Sequence, residues 1–261
     1  MTEERFPMPS HGGAQAGPDA SDRPLDDPRA IQILATEHWS LLATRSLSWN
    51  ESFSRAGLFL SVVSATAVAL ALVAQATSFG PGFIAFALVM LPVDLFVGLA
   101  TFTRLDEVNL EDVLWVAGMN RIRHAYLEIG PGLAPYFITG ATDDPAGVEK
   151  TVGIHRPGSV LAHWIVTMPG MVAVIDGVLA GLIVGVAGST LGGMAMTPSI
   201  AVGAVVGILL PVVLAIRSRS SIRWLMGVYR SNFPSDAESH YAWVASGASR
   251  SGEDGPGERR S

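Results

Sequence analysis

The chain of 261 residues contains no cysteine, and its only lysine is Lys150. The lack of cysteine excludes disulfides, thiolate nucleophiles, iron–sulfur clusters and Cys-based zinc sites. Lys150 lies in a loop-like stretch, so a Walker phosphate loop or a buried Schiff-base lysine has no candidate residue. The net charge of −6 disfavours nucleic-acid binding, and the sequence therefore predicts no nucleic-acid partner.

Charged residues make up only 15 % of the chain, whereas hydrophobic residues make up 49 %. The hydrophobic residues are concentrated in four apolar segments, at about 56–77, 83–103, 164–187 and 199–216. A helix needs about 20 such residues to cross the hydrocarbon core of a bilayer. The sequence therefore predicts an all-α membrane protein with four transmembrane helices in two hairpins.

Polar stretches divide these hairpins into regions. Five prolines among Gly, Asp and Ser predict a disordered cytoplasmic tail over residues 1–29. Apolar residues at spacings of three and four predict an amphipathic helix before the first hairpin and a helical extension after it. Gly130-Pro131 is expected to end that extension. The predicted organisation is a tail (1–29), a helix with the first hairpin and its extension (30–129), a cytoplasmic loop (130–163), the second hairpin with a short helix (164–234), and a second disordered tail (235–261).

The basic residues predict the orientation of the chain. Neither short connection within the hairpins, at about 78–82 and 189–198, contains Lys or Arg. Because basic residues are retained on the cytoplasmic side, both termini and residues 104–163 are expected in the cytoplasm. The predicted location is the cell inner membrane, as a multi-pass protein.

Glycines recur every fourth residue in the third apolar segment. Gly177, Gly181 and Gly185 lie on one face of the helix, and the fourth segment adds Gly203 and Gly207. In lipid, small residues allow the backbones of two helices to approach closely. The pattern predicts close helix packing, either within the chain or between copies of it.

Asp94 and Asp176 are the only ionisable residues in the apolar segments. An acid at the centre of a bilayer costs roughly 2.5 to 3.5 kcal/mol on insertion scales, so such a residue needs a compensating role. Counting from the cytoplasmic helix ends places both acids at similar depth. Two interpretations follow: protonated residues that hydrogen-bond neighbouring helices, or a proton or ion site that the two carboxyl groups form together.

Asn120, His124 and Glu128 share one face of the helical extension, since they are spaced by four. His38 could add a metal ligand from another helix. The spacing matches neither His-Glu-x-x-His nor the Glu-x-x-His of di-iron bundles, so a polar or helix-pairing face is favoured. We expect no metal site, no cofactor and no catalytic residue.

Two stretches resemble a group of uncharacterised bacterial four-pass membrane proteins. They are Arg55-Ala-Gly-Leu-Phe-Leu-Ser-Val62 and Gly118-Met-Asn-Arg-Ile-Arg-His-Ala-Tyr-Leu-Glu128, and the similarity covers about residues 30–235. The resemblance implies the four-pass topology and no activity, because the group has none assigned. The layout is also similar to that of membrane effectors of bacterial defence systems.

The sequence thus predicts a membrane protein without an enzymatic centre. It is expected to be a scaffold, sensor or effector subunit that contacts the lipid bilayer and forms a homo-oligomer or binds an unknown membrane partner. The alternative is a small channel or proton-linked carrier that uses Asp94 and Asp176.

Overall fold

The computed structural model describes residues 24–153 and 164–235. The predicted disordered tails fall almost entirely outside these ranges, as do residues 154–163 of the predicted loop. The described residues contain no strand, and short 3-10 helices cover Pro24–Asp26 and Pro131–Tyr136. Five α-helices have both ends among the described residues: α1 (Ala30–Thr77), α2 (Pro81–Ile129), α3 (Pro145–Val152), α4 (Met168–Thr190) and α5 (Met196–Val228).

Four of these helices, α1, α2, α4 and α5, are long and apolar enough to cross a membrane. This confirms the predicted all-helical class with four such helices. Large apolar side chains point outward from the apolar segments: Leu72 is 61 % exposed, Phe96 72 % and Ile208 66 %. Soluble monomers rarely expose apolar surface on this scale, whereas lipid chains would cover it.

The first two helices extend well beyond their apolar segments. α1 has 48 residues and α2 has 49, so each is about 72 Å long at the α-helical rise. We call α1 up to residue 55 and α2 from residue 104 the polar extension. A tight turn joins the helices at the opposite end, where Ser78 and Phe79 have φ of 49° and 58°. The first hairpin is therefore one antiparallel pair of continuous helices.

The second hairpin differs from the sequence prediction at both ends. α4 begins at Met168, because Thr167 caps it by accepting a hydrogen bond from the Gly170 amide at 3.2 Å. α5 continues through Pro211 to Val228, so the fourth apolar segment and the short helix predicted after it form one helix. The Pro211 ring packs beside Gly177 of α4.

The segment predicted as a loop, residues 130–163, contains the helix α3. Asp144 caps α3 by accepting a hydrogen bond from the Gly147 amide at 3.0 Å, and Pro145 occupies the first turn. Asp followed by Pro is a helix-start signal. The loop prediction is therefore wrong for Pro145–Val152.

The helices pack in the order α1, α2, α4 and α5. The two hairpins meet mainly where α2 packs against α4. The main core lies where they meet and includes Phe59, Phe102, Leu105, Val172 and Leu214. A second core lies in the polar extension, where Val116, Ala117 and Met119 of α2 pack with Val148 of α3. α3 thus packs on the polar extension at the end of the first hairpin. We call the polar extension and α3 together the polar module.

Candidate functional site

Asp94 lies inside the first hairpin, on α2, and is 2 % exposed. Thr66 of α1 donates a hydrogen bond from Oγ1 to Asp94 Oδ1 at 3.1 Å. Asp94 Oδ2 has no hydrogen-bond partner among the described residues. This contact is the bond between neighbouring helices that a structural role of Asp94 requires.

Asp176 lies on α4 and is completely buried. Its carboxyl group packs directly against Gly98 of α2, where a Cβ atom would overlap it. Neither carboxyl oxygen has a hydrogen-bond partner among the described residues. Asp176 therefore lacks the bond to another helix that would make it a simple structural link.

The structure brings the two acids to the same region of the molecule. Gly98, the residue against which Asp176 packs, is one helical turn beyond Asp94, about 6 Å along the axis of α2. The two carboxyl groups do not hydrogen-bond each other, because neither oxygen of Asp176 has a hydrogen-bond partner among the described residues. The arrangement is two buried acids at neighbouring levels of α2, one with a hydrogen-bond donor and one without.

The predicted packing glycines lie between α4 and α5. A Cβ atom on Gly181 would be 2.8 Å from the Gly203 carbonyl oxygen, and one on Gly207 would be 3.1 Å from the Gly177 carbonyl oxygen. Gly185 accepts a hydrogen bond at its carbonyl from Ser199 Oγ at 2.8 Å. All five glycines therefore contribute to a contact within the chain.

A second polar site lies in the polar module and is centred on Asp143. This residue lies between the 3-10 helix Pro131–Tyr136 and α3. Its side chain is fully buried and forms an ion pair with Arg121 of α2. The segment 229–235, which continues directly from α5, supplies further donors. The Asp143 carboxylate accepts from the Tyr229 hydroxyl at 3.2 Å and from the Ser231 hydroxyl. It also accepts from the backbone amides of Asn232 at 3.0 Å and Phe233 at 2.8 Å. We call this set of contacts the Asp143 clasp.

The clasp shifts the ionisation of Asp143. Burial alone would raise its pKa, but hydrogen bonds from Ser231, Asn232, Phe233 and Arg121 hold the pKa well below its usual range. The group is therefore a carboxylate at neutral pH. The Arg121 guanidinium also lies 5.3 Å above the Tyr229 ring, which adds a cation–π contact to the same clasp.

Asn120 lies beside the clasp and is fully buried on α2. Its amide donates to the Thr142 carbonyl at 2.8 Å, and its side-chain oxygen accepts hydrogen bonds from Thr151 and Arg123 at 2.8 and 2.7 Å. These bonds satisfy the buried amide and fix α3 against α2.

The histidines considered as metal ligands lie apart. His124 contacts Glu128 at 3.2 Å and stacks on Phe233 with ring centres 4.2 Å apart. His38 stacks on Tyr126 with centres 6.0 Å apart. Within residues 24–153 and 164–235, no group of three or more His, Cys, Asp or Glu residues is placed to hold a metal ion. In the structure, His124 and Asn120 contribute to holding the module together.

Sequence reasoning did not identify Thr66, Gly98 or Asp143 as site residues. Thr66 and Gly98 are ordinary small residues of an apolar helix, so no local signal distinguishes them. Asp143 is separated from its donors in the segment 229–235 by more than 80 residues along the chain. The sequence signal in this region is the Asp144-Pro145 cap. It predicts the start of α3, but it does not predict the Asp143 clasp.

Comparison of the chain with protein-family models, curated proteins and solved structures gave no match. The resemblance to bacterial four-pass proteins thus gains no support from sequence or fold relatives. What stands is the helical architecture with its four apolar helices.

Proposed function

We propose that this chain is a multi-pass protein of the cell inner membrane that acts as a sensor subunit, within the broader class of scaffold, sensor and effector subunits. Its termini and the polar extension face the cytoplasm. It has no catalytic centre of its own. Its signal is a change in the conformation of the polar module.

The Asp143 clasp is the observation that carries this proposal. α5 is continuous from the fourth apolar segment to Val228, and the clasp begins at the next residue. The second hairpin is thereby attached to the module at the far end of the first hairpin. A shift of the second hairpin within the membrane would pull on the Asp143 contacts and change the module.

The polar extension also offers a surface for a partner. Trp39 and Leu47 of α1 lie outside the apolar segment, yet they are 71 % and 69 % exposed. Exposed apolar side chains at such a position support contact with another protein. The proposal includes a second copy of this chain or a different membrane protein as that partner.

Distance measurements between spin labels can test the sensor proposal, since the chain has no native cysteine that would interfere. One label pair replaces Ile129 of α2 and Asn232 of the clasp segment, which are both exposed. The control pair replaces Ile33 and Leu114 within the polar extension, also exposed. Labelled protein is reconstituted in bilayers of different thickness and at different pH.

A sensor should show a distance distribution for the Ile129/Asn232 pair that changes with the bilayer or the pH, while the Ile33/Leu114 distribution stays fixed. An Ile129/Asn232 distance that is constant under all conditions would contradict the sensor role. It would leave a static scaffold as the function of the module.

A second candidate function, a small channel or proton-linked carrier, is favoured by one observation: the buried Asp176 carboxyl has no partner among the described residues. The test is proton or cation flux through vesicles containing the purified protein. Flux that falls on Asp176→Asn would support transport, and flux equal to that of protein-free vesicles would exclude it.

A further inference from the structure

The unpartnered carboxyl of Asp176 has a chemical consequence beyond the sensor role. Its exposed fraction is 0 %, and neither oxygen receives a hydrogen bond from a described residue. An ionised carboxylate in hydrocarbon without a donor or a counter-charge is strongly unfavourable. In this arrangement the group must carry a positive partner, which is either a proton or a small metal cation.

The charges around Asp176 do not provide a fixed counter-ion. On α2, the ionisable residue within the apolar segment is Asp94, itself an acid. α5 has no ionisable residue between Met196 and Ile216, and α1 has none between Ala56 and Thr77. Nothing in the helices packed against α4 can therefore neutralise Asp176 at this depth.

Among residues 24–153 and 164–235, the charged groups that follow the apolar segments of α2 and α5 are paired, hydrogen-bonded or exposed. Arg104 of α2 pairs with Glu51 of α1 at 3.2 Å and with Glu111 at 3.1 Å. Asp106 of α2 accepts a hydrogen bond from Ser218 of α5, and Arg217 is exposed. None of these groups hydrogen-bonds the Asp176 carboxyl.

The packing favours a proton over a metal ion. Gly98 is in direct contact with the Asp176 carboxyl, which occupies the space that a side chain at position 98 would take. A hard metal cation takes about six oxygen ligands arranged around it. The buried acids Asp94 and Asp176 are joined here by two threonines, but Thr66 Oγ1 already donates to Asp94 and Thr101 Oγ1 donates to the Val97 carbonyl. A proton needs only one carboxyl oxygen.

We propose that Asp176 is an intramembrane proton-binding site at the contact between the two hairpins. The carboxyl group is neutral while it packs on Gly98, and loss of the proton places an uncompensated charge between α2 and α4. Deprotonation therefore weakens the contact between the hairpins, and protonation restores it. Proton binding of this kind does not require transport, and it stands whether or not the module acts as a sensor.

Infrared difference spectroscopy of the reconstituted protein tests the proposal without any functional assay. The carbonyl stretch of a protonated carboxylic acid is recorded while the pH is changed. We expect a pH-dependent band in the wild-type protein that is lost in Asp176→Asn. The matched control is Asp106→Asn, which removes a buried carboxyl that has a hydrogen-bond donor, and the band should remain.

Carbodiimide labelling provides a measurement that needs no variant. Dicyclohexylcarbodiimide is apolar and reacts with protonated carboxyl groups, so labelling of Asp176 in the wild-type protein should fall as the pH rises. The modified residue is located by mass spectrometry of peptides. This keeps the test decisive if Asp176→Asn fails to fold.

Three results would overturn the proposal. The first is the absence of both a pH-dependent acid band and labelling at Asp176. The second is an acid band that survives unchanged in folded Asp176→Asn. The third is loss of the band or of labelling when Na⁺ or K⁺ is added at constant pH, which would identify a metal-cation site. The spin-label distances can fail independently, so failure of the sensor proposal remains distinguishable from failure of this one.

Discussion

Gly181 of α4 and Gly203 of α5 meet backbone to backbone. A Cβ atom on Gly181 would lie 2.8 Å from the Gly203 carbonyl oxygen, and one on Gly203 would lie 2.5 Å from the Gly181 carbonyl oxygen. Both distances are too short for carbon and oxygen that are not bonded. The second hairpin can therefore form in this geometry only while both positions lack a side chain.

Gly181→Ala should destabilise the protein by about 1 to 3 kcal/mol, because the new methyl group must push the α5 backbone away. Gly57→Ala is the matched control, since a Cβ atom at Gly57 would have no neighbour within 4 Å. That change should be neutral or stabilise α1 by up to about 1 kcal/mol through helix propensity. Thermal unfolding of both variants in detergent checks the difference, and equal unfolding temperatures would contradict the glycine contact.

Gly181→Leu should damage folding or assembly much more than Leu182→Ala. Leu182 is 50 % exposed and does not lie in the glycine contact, so its truncation removes little packing. The larger side chain at position 181 would separate α4 from α5 altogether. The yield of monodisperse protein after extraction is the measurement, and similar yields for the two variants would disprove the expectation.

The Asp143 clasp should open in acid. The pKa of Asp143 in the folded chain lies below its value in an unfolded chain, which is about 3.9. Its stabilising contribution is therefore complete above about pH 4 and decreases as the pH falls through the folded-state pKa. Hydrogen exchange at the Asn232 and Phe233 amides should lose protection over this range, after correction for the intrinsic pH dependence.

Asp143→Asn should remove much of the same protection at neutral pH, because the side-chain amide carries no charge to pair with Arg121 and has one acceptor oxygen in place of two. Breaking a buried ion pair costs about 3 to 5 kcal/mol, and the lower end applies here since the Arg121 side chain is 34 % exposed. The backbone amides of α4, which forms none of these bonds with Asp143, serve as the internal control for hydrogen exchange. Unchanged exchange at Asn232 in the variant would show that Asp143 does not hold the segment.

Arg45 and Asp112 should be energetically coupled across the first hairpin. The Arg45 guanidinium donates twice to the carboxylate, at 2.6 and 3.1 Å, and both side chains are more than 70 % buried. A double-mutant cycle with Arg45→Ala and Asp112→Ala should give a coupling of roughly 1 to 2 kcal/mol. By comparison, Arg55→Ala removes an exposed pair with Glu51 and should cost about 0.5 kcal/mol or less.

The orientation in the membrane is testable with reporter fusions. Because neither hairpin connection contains Lys or Arg, fusions within residues 104–163 and at both termini should report a cytoplasmic location. Fusions at Phe79 and at Met194 should report the opposite side. A fusion within residues 104–163 that is active only outside the cytoplasm would reverse the assignment.

The sequence predicted the helical class because membrane-spanning helices have a strong local signal. Twenty consecutive apolar residues must satisfy their backbone hydrogen bonds internally, whatever surrounds them. The same rule identified Asp94 and Asp176, since an acid in such a run stands out. Their surroundings could not be predicted, because whether Asp176 faces Gly98 or lipid depends on how α2 and α4 pack.

The polar module shows where local signals end. Asp144-Pro145 could have been recognised as the start of α3, since the cap acts within four residues. The Asp143 contacts join residues that are far apart in the chain, and polar segments such as 229–235 have no hydrophobic period to reveal their position. The prediction of a loop over 130–163 therefore missed α3 although its cap is a local signal, whereas the Asp143 clasp left no local signal to find.

The turn at Ser78 and Phe79 fixes the rotational phase of the whole first hairpin. Thr66 and Asp94, Glu51 and Arg104, and Arg45 and Asp112 are pairs placed at nearly equal distances along the chain on either side of that turn. One residue inserted between Phe79 and Pro81 would rotate α2 by about 100° relative to α1. All three pairs would then point in the wrong direction, including one that lies more than 30 residues away, so the length of a short turn sets the alignment of two helices along their entire length.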